Sequence, residues 1–222
     1  MNFDNVYITS DIHLSHVRIM KYCDRPFKDI EEMNEYILKQ FDELPKNSLI
    51  INNGDLFLNS RMEYEKLKWY VQRMKKNNKK LWIILGNHDK SSWQFCKNCP
   101  FKDPYDMYID LGFDRVFPFP ILLEDKYLLS HEPIYLKPGS NLINVYAHTH
   151  NIDVDPDYYN RDCENWAMME VVKKHAELGT KQTNLDIDTS IKPYNKKIDL
   201  VNYFNVCWDK HHKILKWSDI FK

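Results

Sequence analysis

The chain has little glycine, five residues in 222, no excess of either charge, and no hydrophobic run long enough to span a membrane. With 31 basic against 32 acidic side chains, it has no long-range field to gather nucleic acid or an acidic membrane. Any phosphate chemistry must therefore be local. Residues 1–5 lack a basic segment leading into an apolar one, so no secretory signal is read and the expected compartment is cytoplasmic. The five cysteines, Cys23, Cys96, Cys99, Cys163 and Cys207, are an odd and scattered set, unlike the dense, even framework of a small secreted domain. Reduced thiols are expected. Cys96 and Cys99 have the spacing to share a metal, but no second pair completes a four-ligand site, and they read as incidental. No internal repeat or low-complexity tract is present.

What the chain does have is 43% hydrophobic and 14% aromatic residues, which excludes a disordered polymer, and nine histidines. Apolar runs bounded by turn residues predict strands over 6–10, 49–53, 81–85, 127–130, 143–147 and 201–207. Asp29 is placed to cap a helix with Glu32 at its third position and Ile30, Met33, Ile37, Phe41 and Leu44 on one face. Ser60 and Glu63 have the spacing of a capping box before a second helix that buries Leu67, Val71 and Met74. The basic cluster from Arg73 to Lys80 falls at that helix's end, where cations suit the macrodipole, and reads as a solvated terminus. Two hairpins are expected, one turning at Glu124 and Asp125, the other joining 201–207 to 214–217 across Asp209 to His212. Residues 151–199 read as a mostly polar insertion with one helix near 164–178. It carries Trp166, Met169, Val172 and Ala176 on one side and ends at Gly179. The chain reads as one domain, 1–222, with that insertion inside it.

Chemistry collects at strand ends. The run 6–10 leads into Asp11 and His13, 49–53 into Gly54 and Asp55, and 81–85 into Gly86, Asn87, His88 and Asp89. The run 127–130 leads into His131, and 143–147 into His148 and His150. Open α/β sheets bind ligands at the carboxyl ends of their strands, so five ends converge on one rim. Gly54 and Gly86 sit where the backbone must pass close to that rim. Singly these motifs are weak: Asp209 and His211 form another Asp-x-His without such a context. His16, His175, His211 and His212 keep the plainer reading of structural histidines.

In conjunction, Asp11-x-His13, Gly54-Asp55, Gly86-Asn87-His88-Asp89, His131 and Ala147-His148-x-His150 resemble the five blocks of the calcineurin-like metallophosphoesterases. The resemblance covers about residues 6–150, with the closing strands near 205–220 compatible. Ser10 to Phe27, with Tyr22, Cys23, Asp24, Arg25 and Pro26, further resembles the small single-domain bacterial and phage-type members. Leu56 and Phe57 stand where the Ser/Thr protein phosphatases continue with Asp and Arg, which argues against that branch. Ala147 replaces the glycine usual before the His-x-His pair, a methyl group that would crowd the turn if the turn is tight.

Membership would imply an α/β (α+β) fold of two packed mixed β-sheets flanked by helices, a four-layer αββα sandwich. By resemblance, Asp11, His13 and His150 would hold one divalent metal ion, Asn87, His131 and His148 a second, and Asp55 both. Nitrogen and oxygen donors suit Mn, Fe, Zn, Ni or Co, with manganese favoured. A hydroxide formed between the ions would attack a phosphomonoester or phosphodiester, nucleotides included. His88 would protonate the leaving oxygen and Asp89 would orient His88. Arg25 and His16 are the candidate phosphate contacts after the first motif, with Arg25 reading equally as a residue that bridges loops. The expected partner is a small phosphate ester, not nucleic acid or membrane, and oligomeric state stays open. A catalytically silent binding protein is disfavoured by the complete ligand set, and a nuclease on polymers by the neutral charge.

Overall fold

The first sheet is set by apolar side chains that alternate between two faces. In it β1 (Val6–Thr9), β2 (Leu49–Asn52), β3 (Lys80–Ile84) and β4 (Arg115–Phe117) run parallel in the order β4-β3-β2-β1. At the edge, β9 (Leu215–Lys216) lies antiparallel to β1. Ile50, Leu81 and Ile83 point into the cluster shared with the helices, while Ile8, Ile51 and Ile84 point the other way, toward the second sheet. The computed structural model describes residues 2–57, 62–92, 96–134, 136, 139–153 and 200–221.

The second sheet has the order β5-β6-β7-β8, from β5 (Ile121–Leu123), β6 (Tyr127–Leu129), β7 (Ile143–Tyr146) and β8 (Tyr203–Asn205). β5 and β6 form the expected hairpin. Glu124 and Asp125 both take positive φ, 52° and 50°, at the centre of a tight turn closed by Lys126 N donating to Leu123 O at 3.1 Å, within the three-residue connection 124–126. β7 runs parallel to both β6 and β8. Val145 and Leu129 face Ile8 and Ile51 across the gap between the sheets, and Trp217 closes its edge. Each fully buried aliphatic residue there contributes about 1.5–3 kcal/mol. On the outer face of the second sheet, Leu128 packs with Ile134, Leu136 and Leu142. Two mixed sheets with helices on the flank are the sandwich expected from the sequence.

The short helix α1 (Ile19–Tyr22) follows the first motif, and α2 (Ile30–Glu43) and α3 (Tyr64–Met74) cover the first sheet. Asp29 caps α2 by accepting from the Glu32 N–H at 2.8 Å, and the Glu32 carboxylate reaches back to the Lys28 N–H. Met33, Ile37 and Phe41 are buried on the face the pattern marked, as are Leu67, Val71 and Met74 of α3. α3 starts later than the capping box implied. Glu63 is extended, at the cap position, and its carboxylate accepts from Asn98 Nδ2; Ser60, the other half of the expected box, lies outside the described residues.

Two further expectations change. The strands 201–207 and 214–217 do not pair with each other. Residues Leu200–Asn202 form a 3-10 turn, β8 joins β7, the one-turn helix α6 (Trp208–His211) intervenes after α4 (Asn87–Ser92) and α5 (Pro104–Leu111), and β9 crosses to the other sheet. Helix α7 (Trp217–Ile220) then closes the described chain. The basic cluster is not simply solvated. Arg73 pairs with Glu35 and Asp42, Lys75 donates to Gly112 O, and buried Lys79 donates to Phe41 O at 2.6 Å, at the end of α2. These cations tie α3 and its exit to its neighbours. The insertion helix expected near 164–178 lies outside the described residues. Among the described residues, no helix is long and apolar enough to cross a membrane.

Candidate metal centre

Each candidate ligand lies just past the end of a strand, Asn87 at the first position of α4, and five of them hold left-handed backbone: Asp11 (φ 51°), His13 (49°), Asp55 (52°), His148 (67°) and His150 (53°). Asp and His tolerate this region better than most residues, but each such position costs of order 1–3 kcal/mol and must be held by its surroundings. Backbone bonds between turns do that here. Asp11 N donates to Gly54 O at 3.0 Å, His13 N to Asp55 O at 3.1 Å, and Ala147 N to His131 O at 2.9 Å. Glycine is required by contact as well as by torsion: a Cβ on Gly54 would lie 2.3 Å from His131 Nδ1.

Two ligand clusters result. Donor atoms of Asp11, His13 and His150 lie within 4.8 Å of one another, and so do those of Asp55, His131 and His148. Asn87 belongs to the second, its Oδ1 lying 3.0 Å from His131 Nε2 and 3.1 Å from His148 Nδ1. Asp55 faces both, with Oδ2 3.4 Å from His131 Nε2 and 3.8 Å from His13 Nε2. The structure thus brings together all seven residues singled out from the sequence. His88 stands beside them, its ring 5.2 Å from that of His13 and its N–H donating to Asp55 Oδ1 at 2.9 Å. His16 packs against both, ring to ring at 5.3 Å from His13 and 6.0 Å from His88.

Burial and unpaired polar atoms identify what this arrangement lacks from protein alone. Asp11 is fully buried and His13 is 1% exposed, yet Asp11 Oδ1 and both ring nitrogens of His13 have no hydrogen-bond partner among the described residues. Leaving such groups unsatisfied costs about 1–3 kcal/mol each. Divalent cations fit this donor set, because carboxylate and imidazole atoms converge within 4.8 Å of one another and several of their buried atoms are left unsatisfied by the described protein. Burial pushes the His13 pKa down to about 3 against the pull of Asp55 and Asp11, which leaves a neutral ligand. Burial would raise Asp55, but the charge and hydrogen bond of His131, with His13 and His88, hold it well below the carboxylate range. Burial opposes charge on His150, and hydrogen bonds to Asp209 and Cys23 overcome it, lifting its pKa to about 10. His16 is lowered to about 4 by burial and by His88.

Two roles are reassigned. Arg25 does not face the rim: its side chain is fully buried, and all five guanidinium N–H groups are engaged. They go to Asp209 Oδ1 and Oδ2, to the Ile12 and Asp11 carbonyls and to Met33 Sδ. Of its two sequence readings, the structural one holds. Nor does Asp89 orient His88. Its Oδ2 accepts from Asp55 N (2.7 Å) and Gly86 N (2.9 Å), and its Oδ1 from the Tyr108 hydroxyl. Burial, then the Asp55 charge, raises its pKa to about 6. Asp89 therefore holds the turns of Asp55 and Gly86 together from behind. Ala147 fits where glycine was usual, its methyl buried in the intersheet cluster and its φ outside the left-handed region.

The sequence reading missed Asp209, Asn53 and Asn205. Asp209 Oδ2 lies 2.7 Å from His150 Nδ1. Asn53 Nδ2 donates to Ser130 O and Val145 O, and its carbonyl lies 2.9 Å from His131 Nδ1. Asn205 Nδ2 donates to His150 O and Ile152 O, fixing the last ligand turn. The position of Asp209 just past the run 201–207 was a signal of the same kind as the other strand ends. Cys207 adds a contact from Sγ to Asp11 Oδ2 at 3.0 Å.

Two mixed sheets that bring carboxylate, amide and imidazole donors to one rim define an α/β protein built around a metal site. The family model of the calcineurin-like phosphoesterases matches residues 5–201, and the chain belongs to that family. It is 34% identical over 96 residues to the uncharacterized protein MJ1445 of Methanocaldococcus jannaschii, an alignment covering 43% of this chain and 52% of the relative. The chain thus spans about half the length of that curated relative. In fold it is similar to a crystal structure of a protein of unknown function, AQ665, from Aquifex aeolicus. The TM-score is 0.50, with 18% identity, over 97% of this chain and 96% of the other.

Proposed function

We propose that the chain is a two-cation phosphoesterase that hydrolyses a small phosphomonoester or phosphodiester, nucleotides included, at the rim of the sandwich. The observation that carries this reading is the position of Asp55, whose single carboxylate faces both ligand clusters. Asp11, His13 and His150 would hold one cation, Asn87, His131 and His148 the other, and Asp55 both. Mn, Fe, Zn, Ni or Co suits these donors, manganese first. Bound cations there supply Lewis acidity for the phosphoryl oxygens and bring the pKa of a water toward about 7.

The protein's own groups supply the rest. Neutral His13 offers its lone pair without first losing a proton at neutral pH. His88 is anchored through its backbone to Asp55, with its ring against His13 at the partly exposed edge, where it delivers a proton to the leaving oxygen. His16 flanks His88 on the approach side and serves as a contact for the substrate. Asp89 and Tyr108 keep Asp55 and the Gly86 turn in register.

The test is metal analysis of the purified chain, followed by chelation and assays with mono- and bis-p-nitrophenyl phosphate while Mn, Ni, Zn or Mg is restored in turn. Two equivalents of metal and metal-dependent turnover of at least one ester are expected. Full metal occupancy without turnover would replace the enzyme with a binding member of the same family.

A further inference from the structure

Among the imidazoles at the rim, His150 is backed differently from its counterpart His131. The far nitrogen of His131 meets a neutral backbone carbonyl, Asn53 O, at 2.9 Å. The Nδ1 of His150 meets the carboxylate of Asp209 at 2.7 Å. That carboxylate is 1% exposed and cannot turn away, because Arg25 forks onto both of its oxygens, Nε to Oδ1 at 2.6 Å and Nη2 to Oδ2 at 2.8 Å. Arg25 is fixed in turn by the Ile12 and Asp11 carbonyls and by the Trp208 ring, 4.9 Å from its carbon centre. Asp209 follows β8 as the other site residues follow their strands, but it lies past residue 201, where the family match ends.

We propose that Asp209, clamped by Arg25, is a positioning residue that fixes the His150 ring with Nε2 presented to Asp11 and His13, and so tightens cation binding at that cluster alone. The inference rests on the two-cation reading above. A carboxylate that accepts the far N–H of a metal-ligating histidine fixes its tautomer and raises its basicity, and loss of such a partner typically costs about 10–100-fold in metal affinity. The Arg25 fork has a second effect. Donor atoms of Cys23, His150 and Asp209 lie within 4.8 Å of one another, a grouping that competes for the same histidine. With both Asp209 oxygens and Nδ1 of His150 engaged, that grouping is closed to a cation and His150 serves the rim.

The experiment is calorimetric titration of the chelator-stripped full chain with Mn2+, comparing wild type with Asp209→Asn. Wild type takes up two equivalents. In the variant one binding step weakens by about 10–100-fold while the other is unchanged. Equal weakening of both steps, or none, overturns the role of Asp209 and leaves the two-cation reading standing. A wild-type chain that binds no Mn2+ overturns both. Because Asp209→Asn leaves the Arg25 charge buried without its partner and such a chain can fail to fold, a measurement on wild type complements it. In the Zn2+-loaded protein, 15N-detected imidazole spectra are expected to report His150 coordinated through Nε2, with a slowly exchanging Nδ1–H. Coordination through Nδ1, or free exchange of that proton, overturns the proposal without any variant.

Discussion

Gly86 stands directly against Asp55: a Cβ on Gly86 would lie 2.2 Å from Asp55 Oδ1 and 2.7 Å from its backbone nitrogen. The carboxylate that faces both ligand clusters has its place because this residue has no side chain. Gly86→Ala is expected to displace Asp55, destabilise the fold by about 1–3 kcal/mol through overpacking, and weaken Mn2+ binding at both clusters. Denaturant unfolding and calorimetric titration read the two effects, and an alanine variant with unchanged Mn2+ affinity would remove this steric argument.

Asp55→Asn tests the shared carboxylate itself. Loss of its charge is expected to strip both cations, so that the dialysed variant should hold well under one equivalent where wild type is expected to hold two. A variant that retains two equivalents by elemental analysis would show that Asp55 does not serve both clusters.

His88→Asn separates proton delivery from metal binding. His88 also lies within reach of His13 and Asp55 as a possible ligand group, so metal content must be measured beside activity. The expected result is unchanged metal content with kcat on alkyl phosphate esters down by about 10²–10⁴-fold. The loss is expected to be much smaller on p-nitrophenyl esters, whose leaving group needs no proton. Equal losses on both, or lost metal, would assign His88 another role.

Arg25→Gln addresses the residue moved from the rim to the interior. Removing one partner of a buried ion pair leaves the other charge uncompensated, and the expected loss is about 3–5 kcal/mol by chemical denaturation. A raised KM with unchanged stability would instead return Arg25 to substrate binding.

In the cation-free protein, His150 gives a stability signal with a definite direction. Its pKa in the folded state is raised to about 10, above the roughly 6.5 of an unfolded chain. The folded state therefore holds its proton more tightly. The stabilisation is complete below about pH 6.5 and is lost as the pH rises toward 10. With chelator present, the unfolding free energy of wild type minus that of His150→Gln should fall between those values. A difference that grows with pH would contradict the His150–Asp209 pair.

The ligands were legible because each follows an apolar run whose length and period already mark a buried strand, so chemistry and position agreed. Asp29 and Glu32 likewise announced the start of α2 through local bonds alone. Features that depend on distant pairing were not legible. The runs 201–207 and 214–217 read as a hairpin because they are neighbours in sequence, but they separated into different sheets, Leu215 pairing beside Ile8 and Phe204 beside Val145. β4 has three residues, too short for a period to register. Arg25 could not be assigned because its partner Asp209 is 184 residues away. Asp89 was misread because sequence adjacency to His88 suggested a contact, whereas α4 turns its carboxylate inward to Gly86, Asp55 and Tyr108.

Asn53 follows directly on β2 of the first sheet, yet its amide donates to the Ser130 and Val145 carbonyls on the second and its backbone carbonyl meets the ring of His131. Asp55, two residues on, belongs to the same turn. A shear of one sheet past the other would thus separate a carboxylate carried by the first from the imidazole carried by the second. The mechanical stiffness of the seam and the spacing of the reactive groups are one quantity. A mutation deep in the interface that lets the layers slip is therefore expected to reach the chemistry without touching a single ligand.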